Sequence, residues 1–175
     1  MNKLILSGLG SIILFAPVLC WSQTVTGEIV ELPGYSFKYS LETSARRSTI
    51  WQLWSDVENW KKFDTLLEYS YLDDDTSFVT GATGVLNAEG APEVKFEIMN
   101  VIEPESFTVR LHLPLYQTID QQRYFEVSDS GVATFSHEIS FKGGLKSIMC
   151  FLLCGTYKKE TQRVMERLKV LAEAQ

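Results

Sequence analysis

The sequence contains a succession of segments in which apolar and polar side chains alternate, followed by one long helical segment. The alternation is most regular in residues 107–113 and recurs in residues 35–42, 118–127 and 132–141. Such alternation predicts strands with one buried face. Apolar residues at helical spacing in residues 145–174 predict a helix. One helix covers the apolar face of a curved antiparallel sheet incompletely, so the sequence predicts an α+β domain with a cavity.

Two short helices are predicted between the first of these strands and the rest. Ile50, Leu53, Trp54 and Val57 fall at i, i+3, i+4 and i+7. Trp60 continues the apolar stripe into a second short helix. Further strands are predicted at residues 67–72, 78–80, 84–86 and 94–101, the last with a bulge where its alternation slips.

The segment Ile50–Asp64 ends its first helix in Ser-Asp-Val-x-Asn-Trp and continues with Lys-Phe-Asp. This segment and the order of elements resemble the polyketide cyclase/dehydrase-like group of the START-related (SRPBCC) superfamily. The resemblance covers essentially the whole mature chain. It implies the helix-grip fold, a curved antiparallel sheet wrapped around a long C-terminal helix with two short helices after the first strand. It also implies a cavity for an apolar ligand, but binders, carriers and enzymes share this fold.

The N-terminal residues 1–22 are predicted to be a signal peptide. Lys3 supplies a positive charge, and residues 4–19 are mostly apolar but short for a membrane-spanning helix. Small residues precede Gln23 at the −3 and −1 positions, so cleavage is expected there and the protein is expected to be secreted or periplasmic. Residues 23–34 then form a leader or a short extra strand, and residues 35–175 form the helix-grip domain. A lipid-modified Cys20 and an uncleaved anchor are the alternatives.

The charge of the chain argues against one class of partner. The formal charge is −6 at pH 7, and removal of residues 1–22 takes away Lys3 and leaves −7. An acidic domain is a poor partner for nucleic acid, whose backbone requires clustered Lys and Arg. The same charge argues against long-range attraction to anionic lipid head groups.

Cys150 and Cys154 are the cysteines of the mature chain. They share a helix face, but a regular helix does not bring side chains at this spacing into disulfide geometry. We therefore expect two buried thiols, although export permits their oxidation. Zinc is not expected, because His112 and His137 lack metal-ligand spacing.

Three polar side chains are predicted on the inner, apolar face of the sheet. His137 alternates in phase with the apolar residues of the last strand, and Gln121 and Arg123 with those of the strand before it. Buried polar groups are costly unless they have partners, and a buried arginine especially so. Either the three form the polar end of a ligand pocket, or Arg123 meets a carboxylate at the cavity mouth and His137 bonds an acceptor. For His137 alone, we expect the second explanation.

The polar trio and the apolar walls of the cavity make up the predicted ligand site. The predicted ligand-binding residues are Gln121, Arg123, His137, Tyr39, Phe96, Phe107, Leu111 and Phe135. No catalytic residue, metal ligand or cofactor is predicted.

Residues Ile148–Cys154 are apolar on every side of their predicted helix. Either neighbouring elements cover them, or they form a gate that contacts a membrane transiently while a lipid passes. We expect them to be covered, because exposed patches of that size are uncommon in soluble monomers.

Three functions remain open. The leading hypothesis is an exported binding or carrier protein for a hydrophobic small molecule or lipid. The second is a cyclase- or dehydrase-type enzyme acting in the same cavity, and the third is a protein-interaction module whose cavity is filled. The ligand and the oligomeric state are not predicted.

Overall fold

The computed structural model describes residues 27–73, 77–127 and 133–175 of the chain. The predicted signal peptide and its cleavage site lie outside these residues. The strands are β1 Gly27–Leu32, β2 Ser36–Glu42, β3 Leu67–Leu72, β4 Thr83–Ala88, β5 Val94–Ile102, β6 Ser106–Leu113, β7 Gln117–Val127 and β8 Ala133–Lys142. The α-helices are α1 Arg47–Ser55 and α2 Lys146–Glu173, and 3-10 helices span Val57–Lys62 and Pro114–Tyr116.

The eight strands form one antiparallel sheet in the order β1-β2-β8-β7-β6-β5-β4-β3. Strands that follow one another in the chain pair with each other, except that β2 pairs with β8. The chain passes from β2 to the far edge at β3 through α1 and the first 3-10 helix. The long helix α2 packs against β8 and β2. This is the predicted helix-grip fold of the α+β class.

Strand alternation predicted the inner face of the sheet correctly. One row across four adjacent strands consists of Phe107, Arg123, His137 and Tyr39, each directly opposite the next. All four are buried. The outer face carries polar contacts, including the ion pair between Arg110 and Asp120, whose nearest nitrogen and oxygen lie 2.7 Å apart.

Three local features refine the predicted strands. Residues 27–32 of the predicted leader pair with β2, which makes them an edge strand of the sheet. The strand predicted at residues 78–80 is wrong, because residues 77–80 are irregular and lie outside the sheet. The predicted bulge is confirmed by the register shift between Met99 and Ile102, with Asn100 at a φ of 52°.

The two halves of α2 differ in their contact with the sheet. Its C-terminal half is anchored in the core by Val164, Met165, Leu168 and Ala172. No residue of its first four turns, up to Glu160, is fully buried. The helix is therefore fully buried against the sheet only at its C-terminal end, and its N-terminal half packs there through partly buried residues such as Met149, Leu153 and Tyr157. No helix within the described ranges combines the length and hydropathy needed to cross a membrane.

Candidate functional site

A cavity of about 380 Å³ lies beneath the N-terminal half of α2. Its walls come from the segment between the first 3-10 helix and β3, from the β4–β5 hairpin, from α2, and from the inner face of β6 and β7. The lining residues are Trp60, Phe63, Asp64, Leu66, Leu67, Leu86, Ala88, Glu89, Ala91, Leu111, Gln121, Arg123, Thr156, Tyr157 and Glu160.

Eight of the lining residues form a buried floor and an exposed rim, and the others are partly buried between them. The floor consists of the four fully buried residues Trp60, Phe63, Leu111 and Arg123. The rim consists of the four exposed residues Leu66, Glu89, Ala91 and Thr156. The backbone N–H of Glu89 donates to the carbonyl of Leu66 over 2.8 Å, which joins the hairpin to the opposite wall. The cavity thus has one closed, aromatic end and one open end.

Arg123 is the charged residue of the floor. It is only 5% exposed, and its guanidinium carbon lies 5.1 Å from the ring centre of Trp60 and 5.7 Å from that of Phe107. Its Nη1 atom has no hydrogen-bond partner among the described residues. Burial lowers the pKa of Arg123 to about 10, while the charge of Asp64 acts in the opposite direction. Even so, Arg123 remains a cation at neutral pH.

His137 lies directly opposite Arg123 on the neighbouring strand. It is buried, but it is not among the cavity-lining residues. Neither ring nitrogen has a partner in the described part of the chain, so the expectation that His137 bonds an acceptor is wrong. Burial, and secondarily the charge of Arg123, holds the pKa of His137 well below its ordinary value. His137 is therefore a neutral imidazole in the folded protein.

The cavity also contains carboxylates. Strand alternation predicted no convincing pair of them inside, whereas the structure places Asp64, Glu89 and Glu160 on the lining. They come from the loop before β3, the hairpin and α2, which alternation in strands does not describe. Burial raises the pKa of Asp64, with Glu160 adding to the increase, against a hydrogen bond from the Leu66 N–H and the charge of Arg123.

Tyr157 places a phenol on the same cavity wall. It projects from α2 and lines the cavity with Asp64. Burial, with the negative charge of Asp64 as a smaller cause, raises the pKa of Tyr157 to about 12. The hydroxyl therefore remains protonated at neutral pH and can donate a hydrogen bond.

The predicted ligand-binding residues fall into two groups. Those on the cavity lining are Gln121, Arg123 and Leu111. Those buried in the core but absent from the lining are Tyr39, Phe96, Phe107, Phe135 and His137. Tyr39 is held from the other side, because its hydroxyl donates to Glu166 on α2 over 3.2 Å.

Three of the lining residues that were given no role in the site from sequence are Trp60, Asp64 and Tyr157. Trp60 was expected only to pin the short helices, and its indole N–H does donate to the Trp54 carbonyl over 2.8 Å. Its ring also faces Arg123. Asp64 closes the segment that carries the family resemblance, and Tyr157 lies in the apolar stripe of α2. The sequence pattern predicted the structural elements that contain these residues, but it did not predict that their side chains point into the cavity.

The first turns of α2 were expected to contain two free thiols and to be covered by neighbouring elements, and the structure differs on both points. Cys150 and Cys154 form a disulfide, with their Cα atoms 4.7 Å apart. The expectation of two thiols is wrong, because the helix tightens locally from the spacing that a regular helix gives. The expectation that the segment is covered is also wrong, since Phe151 is 88% exposed and Leu152 64% exposed.

These exposed residues belong to a larger surface, here called the apolar patch. Its members are Leu115, Tyr116, Leu145, Ile148, Phe151 and Leu152. Hydrogen bonds of 2.8 Å from the Gln117 amide to the Leu115 carbonyl, and from the Leu145 N–H to the Gln117 side chain, join the β6–β7 loop to the start of α2. Residues 139–159, which contain most of the patch, have four Lys and no Asp or Glu.

No three His, Cys, Asp or Glu side chains converge as metal ligands would within residues 27–73, 77–127 and 133–175. The polar side chains of the cavity instead comprise one guanidinium, three carboxylates, a phenol, an amide and the hydroxyl of Thr156. Groups of this kind hold and orient a ligand, or exchange protons with it.

No protein-family model and no curated protein matches this chain. Solved structures do match. Ara h 8.0201 has a TM-score of 0.64 at 10% identity, over 80% of this chain and 98% of its own. Major latex-like protein 151 from Panax ginseng has a TM-score of 0.58 at 10% identity, over 78% and 96%. Protein Ms6760 from Mycobacterium smegmatis has a TM-score of 0.60 at 16% identity, over 86% and 98%.

The first two of these similar structures have folds of the START-related type. At such low identity, the likeness shows the fold alone.

Proposed function

We propose that this chain is an exported binding or carrier protein that holds a hydrophobic small molecule beneath α2. A lipid, an isoprenoid and a polyketide-like compound all fit this description. The observation that carries the proposal is the cavity of about 380 Å³, with apolar walls and a few convergent polar groups. Ligand sites are typically cavities of about 300–1,000 Å³ with this composition. An open cavity also favours a binder over an interaction module with a filled interior.

Within this proposal, the predicted site residues have two roles. Leu111, Gln121 and Arg123 line the cavity and contact the ligand directly. The core side chains of Tyr39, Phe96, Phe107, Phe135 and His137 lie behind that surface and fix its shape. Packing density in protein cores is high, so these five residues hold the lining in place.

Export is supported by two features. The N-terminal residues 1–22 have the pattern of a signal peptide. The disulfide between Cys150 and Cys154 is of the kind that persists in oxidising compartments such as the periplasm or the cell exterior. We propose a secreted or periplasmic location.

Uptake of a hydrophobic probe tests the binding function. Ala88 lies on the cavity wall, so Ala88→Trp places an indole inside the cavity, whereas Ala174→Trp adds the same group on the exposed end of α2. We expect native mass spectrometry to show one bound amphiphile on the wild type and on Ala174→Trp, and at least tenfold less on Ala88→Trp. Equal loading of both variants, or a wild type that takes up no lipid from any mixture, would contradict the proposal.

The carrier role adds a transient membrane contact through Ile148–Cys154. The apolar patch adjoins the cavity rim, because Leu152 lies one helical turn before Thr156 on α2. Residues 139–159 have four Lys and no Asp or Glu in an otherwise acidic chain, and of these Lys158 forms an ion pair with Glu31. Basic side chains beside an apolar surface favour anionic head groups. The patch therefore suits a lipid surface from which an amphiphile enters the cavity.

An enzyme of the cyclase or dehydrase type is the second candidate, and the environment of Asp64 favours it. A carboxyl with a raised pKa, facing a cavity that also holds Arg123 and Tyr157, is a candidate proton carrier. This candidate predicts that a bound compound with an enolisable carbonyl is released chemically changed. Recovery of an unchanged ligand after prolonged incubation favours the carrier.

A further inference from the structure

We infer that the ligand of this cavity is an amphiphile with a single carboxylate head, seated on Arg123 at the closed end, with its apolar part directed toward the rim. This inference deepens the binding function proposed above and rests on it.

Arg123 supplies the first argument. A guanidinium has five N–H donors in a planar fork and no acceptor. Nη1 of Arg123 is buried without a partner among the described residues, and the aromatic faces of Trp60 and Phe107 provide no acceptor atom. An uncompensated charge in such a place is costly. Two carboxylate oxygens match the fork geometry, whereas an alcohol offers one neutral acceptor and an ammonium group is repelled.

Asp64 does not already fill this role. Its charge influences Arg123 through the cavity, but no ion pair within 4 Å joins the two side chains in the described residues. Asp64 instead accepts a hydrogen bond from the Leu66 N–H over 3.2 Å. The carboxylate of Asp64 therefore lies in the same cavity as Arg123 but does not form an ion pair with it. The negative charge of Asp64 repels an incoming carboxylate, so its removal should strengthen binding.

The size and polarity of the cavity define the rest of the ligand. At about 30 Å³ for each water-sized group, the 380 Å³ hold roughly a dozen such groups. Apolar wall residues run from the floor to the rim, where Leu66 and Ala91 are exposed. A ten-carbon chain with its head at the floor therefore fits the cavity in length and polarity.

The test compares three ligands of equal chain length on the mature protein freed of lipid. Decanoate, 1-decanol and decylammonium are titrated by calorimetry. We expect decanoate to bind at least tenfold more tightly than 1-decanol, since hydrogen bonds between charged groups are the strong ones. Decylammonium is expected to bind most weakly.

Variants of Arg123 assign the preference to one side chain. Arg123→Met should reduce decanoate affinity to the level of 1-decanol. The variant is expected to fold, because Arg123 has no ion pair among the described residues and the substitution removes an uncompensated buried charge. Arg123→Lys keeps the positive charge but lacks the forked pair of donors, so its affinity for decanoate should lie between those of the wild type and Arg123→Met. Arg167→Met, at an exposed position on α2, should leave all affinities unchanged.

Asp64→Asn is expected to raise the affinity for decanoate, a result that a variant with a damaged fold would not give. Asn keeps the acceptor for the Leu66 N–H and removes the charge. We expect decanoate, and not 1-decanol, to bind severalfold more tightly to this variant.

Each outcome decides between the two proposals. If 1-decanol binds as tightly as decanoate, the carboxylate inference fails while the binding function stands. If none of the three ligands binds although the protein takes up an amphiphile from a lipid mixture, the carboxylate inference fails alone. If no lipid mixture supplies a ligand either, both proposals fail. If Arg123→Met retains the preference for decanoate, the head group lies elsewhere and the inference is overturned.

Discussion

At the scale of single residues, His137 combines burial with the loss of both hydrogen-bond partners. Its neighbours in the sheet are Arg123 on one side and Tyr39 on the other, and neither satisfies a ring nitrogen among the described residues. A buried polar group without partners costs about 1–3 kcal/mol. His137 is therefore a source of instability that an apolar residue of similar size would remove.

This environment predicts how stability depends on pH. The folded pKa of His137 is depressed by burial and by Arg123, so below the ordinary pKa of about 6.5 the unfolded chain takes up a proton that the folded chain refuses. Stability is thus intact above pH 6.5 and falls by up to about 1.4 kcal/mol per pH unit below it. We expect His137→Leu to flatten this loss in urea unfolding at pH 7 and pH 5. If the free energy of unfolding fell equally between pH 7 and pH 5 in the wild type and in His137→Leu, the loss would not come from His137.

At the scale of elements, the sequence predicted side-chain directions correctly in strands, where the alternation of apolar and polar residues shows which face each side chain occupies. Alternation in β7 and β8 correctly turned Arg123 and His137 inward, since successive strand side chains point to opposite faces. It gave no direction for the side chain of Asp64 in a loop, or for the side chains in the N-terminal half of α2, where no residue is fully buried. The exposure of Phe151 and the Cys150–Cys154 disulfide were also missed, because both depend on how far the helix lies from its neighbours.

The apolar patch on α2 yields a prediction with a matched control on the same helix. Leu152 and Val170 are 64% and 63% exposed, but only Leu152 belongs to the patch. We expect Leu152→Glu to reduce co-sedimentation with anionic vesicles at least fivefold, because it adds a buried charge to the membrane contact. Val170→Glu should match the wild type. Equal binding by the two variants would remove the membrane contact from the proposed function.

At the scale of the whole molecule, the cavity couples ligand binding to stability. A ligand that binds only the folded protein adds about 2.7 kcal/mol at a hundred times its dissociation constant. For a domain of this size, that raises Tm by roughly 5–10 °C. By calorimetry, we expect the Tm of the lipid-free protein to lie below that of the protein saturated with its co-purified ligand by this same difference. A Tm that does not change on delipidation would show that the adduct lies outside the folded core.

The pairing of β2 with β8 has a consequence for the order in which the molecule assembles. Phe37 lies opposite Ile139, about a hundred residues further along the chain, and α2 follows later still. During synthesis or export from the N-terminus, the β1–β2 hairpin has no neighbour on its inner side until β8 has emerged. The wall supplied by α2 is then the last to be added. Under the proposed binding function, the nascent chain therefore has no complete site for a ligand, and binding takes place in the compartment where folding is completed.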